Sequence, residues 1–294
     1  MSGGEQSDIA RQAERLATMD LRTIETEVTA QRLAWLEQRS PEQERGRSVS
    51  PRDAYGLLFR EYMGLALSEL PVVHESESEI VWLSKNPCPT LEACRELSLD
   101  TRTVCRVVYE KPTQAFLSWL DPQLRFVRDY EVIRPYHPHC RERIVRVDFE
   151  SFMEIAIEEA MLSKREGNKG YGAVVTLGEQ VIARTHDSAV TERDPSLHAE
   201  FKAIRQTVAA FGAADLCGAV LFSTCEPCAM CTGLAVWANL TSIVYGASIA
   251  DTARMGRSRI LVDATEIAAR SPNMLEVIGG VSREECESLY AQDR

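Results

Sequence analysis

The sequence predicts an α/β chain in two parts: a carboxy-terminal sandwich on a largely buried sheet over residues 147–294, preceded by a smaller α+β domain over residues 1–146. Three observations lead there. The chain has 294 residues, more than one ordinary core requires. From Val147 onward, apolar runs of strand length alternate with helical stretches, the pattern of a sheet covered by crossover helices. Before Val147 the segments are shorter, and a helical start gives way to strand signals.

Residues 9–39 read as one helix, with Leu21, Ile24, Val28 and Trp35 on one stripe at heptad-like spacing. That stripe packs either on its own domain or on a second copy of the chain. "RSPEQERGRSVSPRD" (39–53) is polar, holds two prolines and reads as a loop. A helix follows over 52–69, and apolar runs at 79–84, 104–109 and 124–133 read as strands. Then the pattern changes. Phe149, Phe152, Met153, Ala156, Ile157 and Ala160 repeat at helical spacing. "YGAVVTL" and "QVIARTH" are two strands about a turn at Gly178. A helix spans Leu197 to Ala210, "AVLFST" is a buried strand, and Cys228 to Asn239 form another helix. "TSIVYGA" and "MLEVIGG" add strands, and "SREECESLYAQ" a closing helix.

Composition narrows the function. No apolar run approaches the ~20 residues of a membrane span. The opening "MSGGEQSDIARQAER" lacks the apolar core of a signal peptide, so a cytoplasmic location is expected. Nine cysteines, an odd number, then suggest free thiols and metal ligands rather than disulfides. The net charge of −11 argues against a large nucleic-acid partner, because phosphate contacts call for a basic excess. A local basic patch is still compatible with it.

The chemistry concentrates in "TCEPCAMC" (224–231), which places Cys225, Cys228 and Cys231 at every third position. Three such sulfurs could serve an iron–sulfur cluster, a redox pair or plain packing. A cluster wants four thiolates, and Cys217 fits no usual spacing. A redox Cys-x-x-Cys belongs after the first strand of its unit, whereas this one follows a late strand. Zinc gains weight from "SLHAEFKAI", which puts His198 and Glu200 at the start of the preceding helix. One imidazole and two thiolates leave the fourth tetrahedral position open, as a catalytic zinc site requires. Cys228 and Cys231 are expected one turn apart on one helix, with Pro227 at its first position and the helix dipole favouring thiolates. Cys225 would point elsewhere, as a packed thiol. Glu200, two residues from a ligand, is the expected proton shuttle between an activated water and a leaving nitrogen.

These motifs, with "GAVV", "HAEFKAI" and "STCEPCAMCTGLAVWANLTSIVYGA", closely resemble the cytidine/deoxycytidylate deaminase superfamily over residues 148–294. The nearest likeness is to its branch of guanine, fungal-type cytosine and bacterial tRNA adenosine deaminases. The resemblance implies an α/β/α sandwich with a mixed five-stranded sheet. It implies one zinc ion per chain on His198, Cys228 and Cys231, with Glu200 catalytic. It also implies that the Ala199 N–H faces the substrate ring, that the Glu226 carbonyl accepts from the departing amino group, and that the protein is a homodimer. One position departs. Where that branch carries a base-reading asparagine, this chain has Asp187, with His186 beside it as either a further substrate contact or a hydrogen-bonded structural histidine. A carboxylate only accepts hydrogen bonds, so Asp187 suggests a substrate presenting two donors, unless a loop offset or a proton on Asp187 alters its part.

In the amino-terminal half, "NPCPTLEACRELSLD", "TVCRVVYEKPTQAFLSWLDPQLRF" and "HPHCRERI" resemble the L-2-amino-thiazoline-4-carboxylate hydrolase-like family, over residues 52–146. The likeness puts Cys88, Cys105 and Cys140 on that family's cysteine positions, as nucleophile candidates or as parts of a ligand-binding or dimerising domain. "PYHPHC" also offers His137, His139 and Cys140 as a second metal cluster. The expected function is a zinc-dependent aminohydrolase, acting on C–N bonds of cyclic amidines. Its substrate would be a free base, an unusual aminopurine, an amino-triazine or a cyclic guanidine. The alternatives are a nucleoside, nucleotide or tRNA adenosine deaminase, and a non-catalytic zinc-stabilised binding protein.

Overall fold

In the computed structural model of the protein, which describes residues 3–39, 48–212, 216–271 and 275–291, Asp20 breaks the first expected helix in two. Its carboxylate accepts the backbone N–H groups of Arg22 and Thr23, at 3.0 and 3.3 Å. That is a helix N-cap, so α1 (Gly3–Thr18) ends and α2 (Leu21–Arg39) begins afresh. The α2 stripe packs at home: Ile24 and Val28 are buried with Ala93, Cys94, Val104 and Val108, and Trp35 lies against Tyr62 and Phe116.

The chain divides between Val147 and Asp148 into two compact units of equal length. In the first unit, most of the expected 39–53 loop lies outside the described residues. Helix α3 (Pro51–Tyr55) starts on the Ser50 cap and runs on as a π-helix over Gly56–Tyr62. The helix expected to reach residue 69 stops there, because Gly64 turns left-handed at φ 67°. A four-stranded antiparallel sheet forms from β1 (Val72–Glu75) and β2 (Glu79–Ser84), then β3 (Leu124–Asp129) and β4 (Cys140–Arg146), ordered β1-β2-β4-β3. Helices α4 (Pro89–Leu97), α5 (Thr101–Cys105) and α6 (Lys111–Leu120) lie between β2 and β3 in sequence. The expected strand at 104–109 is helical. The Asp100 carboxylate caps α5 at the Arg102 N–H, and Val104 and Val108, four apart, are both buried on the α2 side. The run at 124–133 is strand only as far as Asp129.

The second unit opens with α7 (Phe149–Arg165), capped by the Asp148 carboxylate at the Ser151 N–H. Strands β5 (Gly172–Leu177) and β6 (Gln180–His186) form a hairpin around Gly178, whose φ of 60° suits glycine. Next come α8 (Ala199–Phe211), the wholly buried β7 (Ala219–Cys225), α9 (Ala229–Trp237) and β8 (Ser242–Ala247). Three short helices, α10 (Ile249–Arg254), α11 (Ala264–Ala269) and α12 (Arg283–Ser288), flank β9 (Glu276–Gly279). Strand order is β6-β5-β7-β8-β9, with β5 antiparallel to both neighbours and β7, β8 and β9 parallel. Phe149 and Phe152 of α7 cover Phe222 on one sheet face. Ala203 and Ile204 of α8 and Ala235 of α9 cover Val175 and Leu221 on the other. This is the α/β/α sandwich on a mixed five-stranded sheet that the sequence predicted. Gly172 makes the α7 layer possible, since a Cβ there would stand 1.9 Å from the Ala156 carbonyl oxygen.

Candidate metal centre and active site

Two helix starts meet at the carboxy-terminal end of β7. His198 is the N-cap of α8 and Cys228 the N-cap of α9, both with extended backbone. Helix α9 therefore begins one residue later than expected. Pro227 stands outside it, with its carbonyl accepting the Thr232 hydroxyl at 3.1 Å. Cys228 and Cys231 still converge, because an N-cap side chain leans over the first turn, where Cys231 lies. Both dipoles present their positive ends, which favours thiolates between them.

Three ligand atoms form a tight triangle. Cys228 Sγ and Cys231 Sγ lie 3.8 Å apart, and each is 3.6 Å from His198 Nδ1. Tetrahedral angles with Zn–S of about 2.3 Å and Zn–N of about 2.0–2.1 Å give edges of about 3.8 Å between sulfurs and about 3.6 Å from sulfur to nitrogen. The donor set and its spacing thus fit zinc. Among the described residues, this is the one group of three His, Cys, Asp or Glu ligand atoms within 4.8 Å of one another. The hydrogen bond from Cys231, with another from His198, pulls the Cys228 thiol down to about 3. The same bond and burial hold Cys231 up. A dication among the three would stabilise both as thiolates.

Glu200 follows two residues after His198 and is only 5% exposed. Its Oε2 lies 3.8 Å from Cys231 Sγ, outside the ligand triangle. Burial pushes its carboxyl group up, against the pull of His198. Ala199 is the first residue of α8, so its N–H has no intrahelical acceptor.

Asp187 follows the end of β6 and is 1% exposed. Its two carboxylate oxygens accept the N–H groups of Ala189 and Lys169, each at 3.3 Å. The His198 imidazole is raised chiefly by its Cys228 hydrogen bond, against burial, and the charges of Glu200, Cys228 and Asp187 add to it. His186 does not join this group. It sits on the α7 side of the sheet, with Nδ1 2.8 Å from Glu159 and Nε2 2.9 Å from Glu166, because neighbouring strand residues point to opposite faces. His186 is thus a strand-to-helix tie, the structural alternative to a substrate contact.

Glu226 has two parts. Its carboxylate accepts the N–H groups of Ile249 and Ala264, the first residues of α10 and α11, at 2.9 and 2.8 Å. Its carbonyl oxygen accepts from Arg259 Nη2 at 2.9 Å. The same Nη2 lies 3.2 Å from Cys225 Sγ, and the guanidinium sits 5.4 Å from the centre of the Tyr171 ring. Burial works against the Arg259 charge, but Cys225, Tyr171, Glu200 and Cys228 outweigh it and hold the group up. Cys225 itself is a packed thiol, pushed up to about 12 by burial. Sequence reading missed Arg259 and Tyr171. Arg259 lies in an irregular stretch between α10 and α11, where no spacing singles it out, and Tyr171 was absorbed into a strand.

In the first unit, Cys88 caps α4, Cys105 ends α5 and Cys140 opens β4. Burial raises Cys88, and raises Cys105 to about 12, which keeps both as thiols at neutral pH. That is the reverse of what an activated nucleophile shows. His137, His139 and Cys140 do not converge as a ligand set among the described residues.

Known proteins share this second unit. Residues 146–247 match the family described as the cytidine and deoxycytidylate deaminase zinc-binding region. The chain is 35% identical over 142 residues to the tRNA-specific adenosine deaminase of Bacillus subtilis, covering 48% of this chain and 86% of that protein. It is 34% identical over 111 residues to the guanine deaminase of the same bacterium, covering 37% and 71%. A structure solved in studies of A-to-I editing by tRNA:A34 deaminases aligns over 47% of this chain and 98% of its own, at 28% identity and a TM-score of 0.43.

Proposed function

The chain belongs to the cytidine and deoxycytidylate deaminase family, whose members hydrolyse C–N bonds with zinc, and on that premise we propose that it deaminates a small nitrogen heterocycle. An exocyclic C–NH₂ becomes C=O, water supplies the oxygen, and ammonia leaves. The observation that carries this reading is the buried Glu200 carboxylate beside the His198–Cys228–Cys231 triangle.

Zinc held by those three residues would keep its fourth position for water and lower that water's pKa. The chain's own groups do the rest. Glu200 takes a proton from the attacking water and hands it to the departing nitrogen; burial raises its carboxyl group, which favours holding that proton between the two steps. The Ala199 N–H, left over at the start of α8, donates to the ring. The Glu226 carbonyl keeps one lone pair for the leaving amino group, because Arg259 takes only the other. Asp187, with each oxygen already holding one amide, has acceptor capacity left and no donor, which favours a substrate offering two N–H groups. An unusual aminopurine, an amino-triazine or a cyclic guanidine fits that demand better than cytosine, guanine or adenine.

A second reading, action on RNA, is favoured by the 35% identity to a tRNA-specific adenosine deaminase. The charge of −11 opposes it. A gel shift with tRNA that weakens steeply with salt would favour it.

The test is ammonia release from a panel of free bases, nucleosides, amino-triazines and cyclic guanidines, with Glu200→Ala as the blank. Release should fall by about 10²–10⁴-fold in that variant. Release that survives Glu200→Ala would defeat the assignment of Glu200.

A further inference from the structure

The peptide group between Glu226 and Pro227 lacks one of the usual ties. The Glu226 N–H donates to the Ala247 carbonyl at 2.8 Å, which fixes the upstream side of the residue. Downstream, Pro227 has no N–H, so nothing bonded to that nitrogen can hold the peptide plane. The Glu226 carbonyl also lies before the Cys228 cap of α9, outside the helical ladder. Among the described residues, what holds its oxygen is Arg259 Nη2, at 2.9 Å.

The arginine is itself seated. The same Nη2 lies 3.2 Å from Cys225 Sγ, and the guanidinium carbon lies 5.4 Å from the centre of the Tyr171 ring. Tyr171 packs on Tyr290 with ring centres 5.1 Å apart. Tyr290 is fully buried and donates its hydroxyl to Thr224 Oγ1 at 2.7 Å, and Thr224 Oγ1 accepts the Gly172 N–H at 3.1 Å. The end of β7, the start of β5 and the residues after α12 thus build one seat for one side chain. The segment that carries Arg259 is also fastened to the residue it holds. The Glu226 carboxylate accepts the N–H groups of Ile249 and Ala264, one on each side of Arg259 in sequence.

An acceptor for a leaving amino group works only when its lone pair points there, and a misplacement of about 1 Å can cost about 10²-fold in rate. We propose that Arg259 is a positioning residue: it occupies one lone pair of the Glu226 carbonyl and so turns the other toward the departing amino group, while Tyr171 and Tyr290 keep the guanidinium in place. This deepens the aminohydrolase reading and rests on it. A guanidinium suits the task, because it stays charged and its donors are fixed in one plane.

The test joins a structural and a kinetic measurement on the full-length, zinc-loaded chain. Glu226–Pro227 is the one Glu–Pro pair in the sequence, so labelling with [1-¹³C]Glu and [¹⁵N]Pro marks this carbonyl by its ¹³C–¹⁵N coupling. In Arg259→Ala the resonance should move upfield as the hydrogen bond is lost. Turnover is followed with melamine, 2,6-diaminopurine, guanine or cytidine, whichever the unaltered protein deaminates fastest. In Arg259→Ala, kcat should fall by about 10- to 100-fold with KM nearly unchanged and zinc retained. Should that variant not fold or not hold zinc, Arg259→Lys and Tyr171→Leu carry the same test. Both should shift the resonance and lower kcat, and Tyr171→Phe, which keeps the ring, should recover most of what Tyr171→Leu loses. An unmoved resonance, or an unchanged kcat with the resonance moved, would overturn the proposal and leave the aminohydrolase reading in place. A loss confined to KM would also overturn it, since that result makes Arg259 a substrate contact. No ammonia from any of the four compounds with the unaltered protein would instead defeat the small-heterocycle reading, and this proposal with it.

Discussion

Asp187 lacks the NH₂ donor group of an asparagine, and its surroundings make that difference count. Both carboxylate oxygens already accept backbone N–H groups, from Ala189 and Lys169. An asparagine could satisfy only one of the two through its oxygen, and its NH₂ would confront the other donor. Asp187→Asn should therefore cost about 1 kcal/mol of stability, and it should move kcat/KM toward cytosine, guanine or adenine relative to two-donor heterocycles by at least ~10-fold. Competition assays with paired substrates check this, and an unchanged ratio would remove Asp187 from substrate reading. At this scale the sequence was most legible where chemistry demands a fixed spacing. His198, Glu200, Cys228 and Cys231 meet in the structure at ligand distance or beside it. Arg259 was illegible because its partners lie 33 and 34 residues away, at Glu226 and Cys225.

Helix α10 shows how the elements near the site are fastened. Ser248 and Asp251 cap it reciprocally: the Asp251 N–H bonds to Ser248 Oγ at 3.0 Å, and the Ser248 N–H to Asp251 Oδ2 at 3.1 Å. Arg283, at the start of α12, then donates to both Asp251 oxygens at 2.7 Å. Burial opposes the Asp251 charge, but bonds from Ser248, Arg254 and Arg283 outweigh it and hold its carboxyl at about 2. The folded value is below the unfolded one, so the stabilisation is full above about pH 4 and is lost as pH falls through 2. Asp251→Asn should cost about 1 kcal/mol or more at pH 7, and the gap from the unaltered protein should narrow as the pH is lowered from 4 to 2. Urea unfolding across that range would show it, and a gap constant with pH would refute the ionic origin. Elements with strong periodicity, such as α7 and the β5–β6 hairpin, were legible in order and type. The segment 104–109 was not, since "VCRVVY" suits a strand by propensity, and the Asp100 cap with the α2 packing made it helical.

On α9 of the second unit two apolar side chains face outward, Met230 at 38% and Trp237 at 74% exposure. An exposed tryptophan beside an exposed methionine, on the helix that carries Cys231, suits contact with a second copy of the chain. Trp237→Glu should shift sedimentation from dimer to monomer with zinc content retained, whereas an unaltered protein that sediments as a monomer would exclude this face. Among the described residues, no helix is long and apolar enough to cross a membrane. By itself the sequence determined the α/β/α class of the second unit and singled out the candidate zinc ligands and acid–base residue that meet there, because hydrophobic period and metal-ligand spacing are local properties of the chain. Only the tertiary structure decided which sheet face each side chain meets. It turned His186 to Glu159 and Glu166, and it brought Arg259 and Tyr171 beside Cys225 and the Glu226 carbonyl. Such contacts join residues far apart in sequence, and packing and burial, which no single stretch of residues encodes, select them.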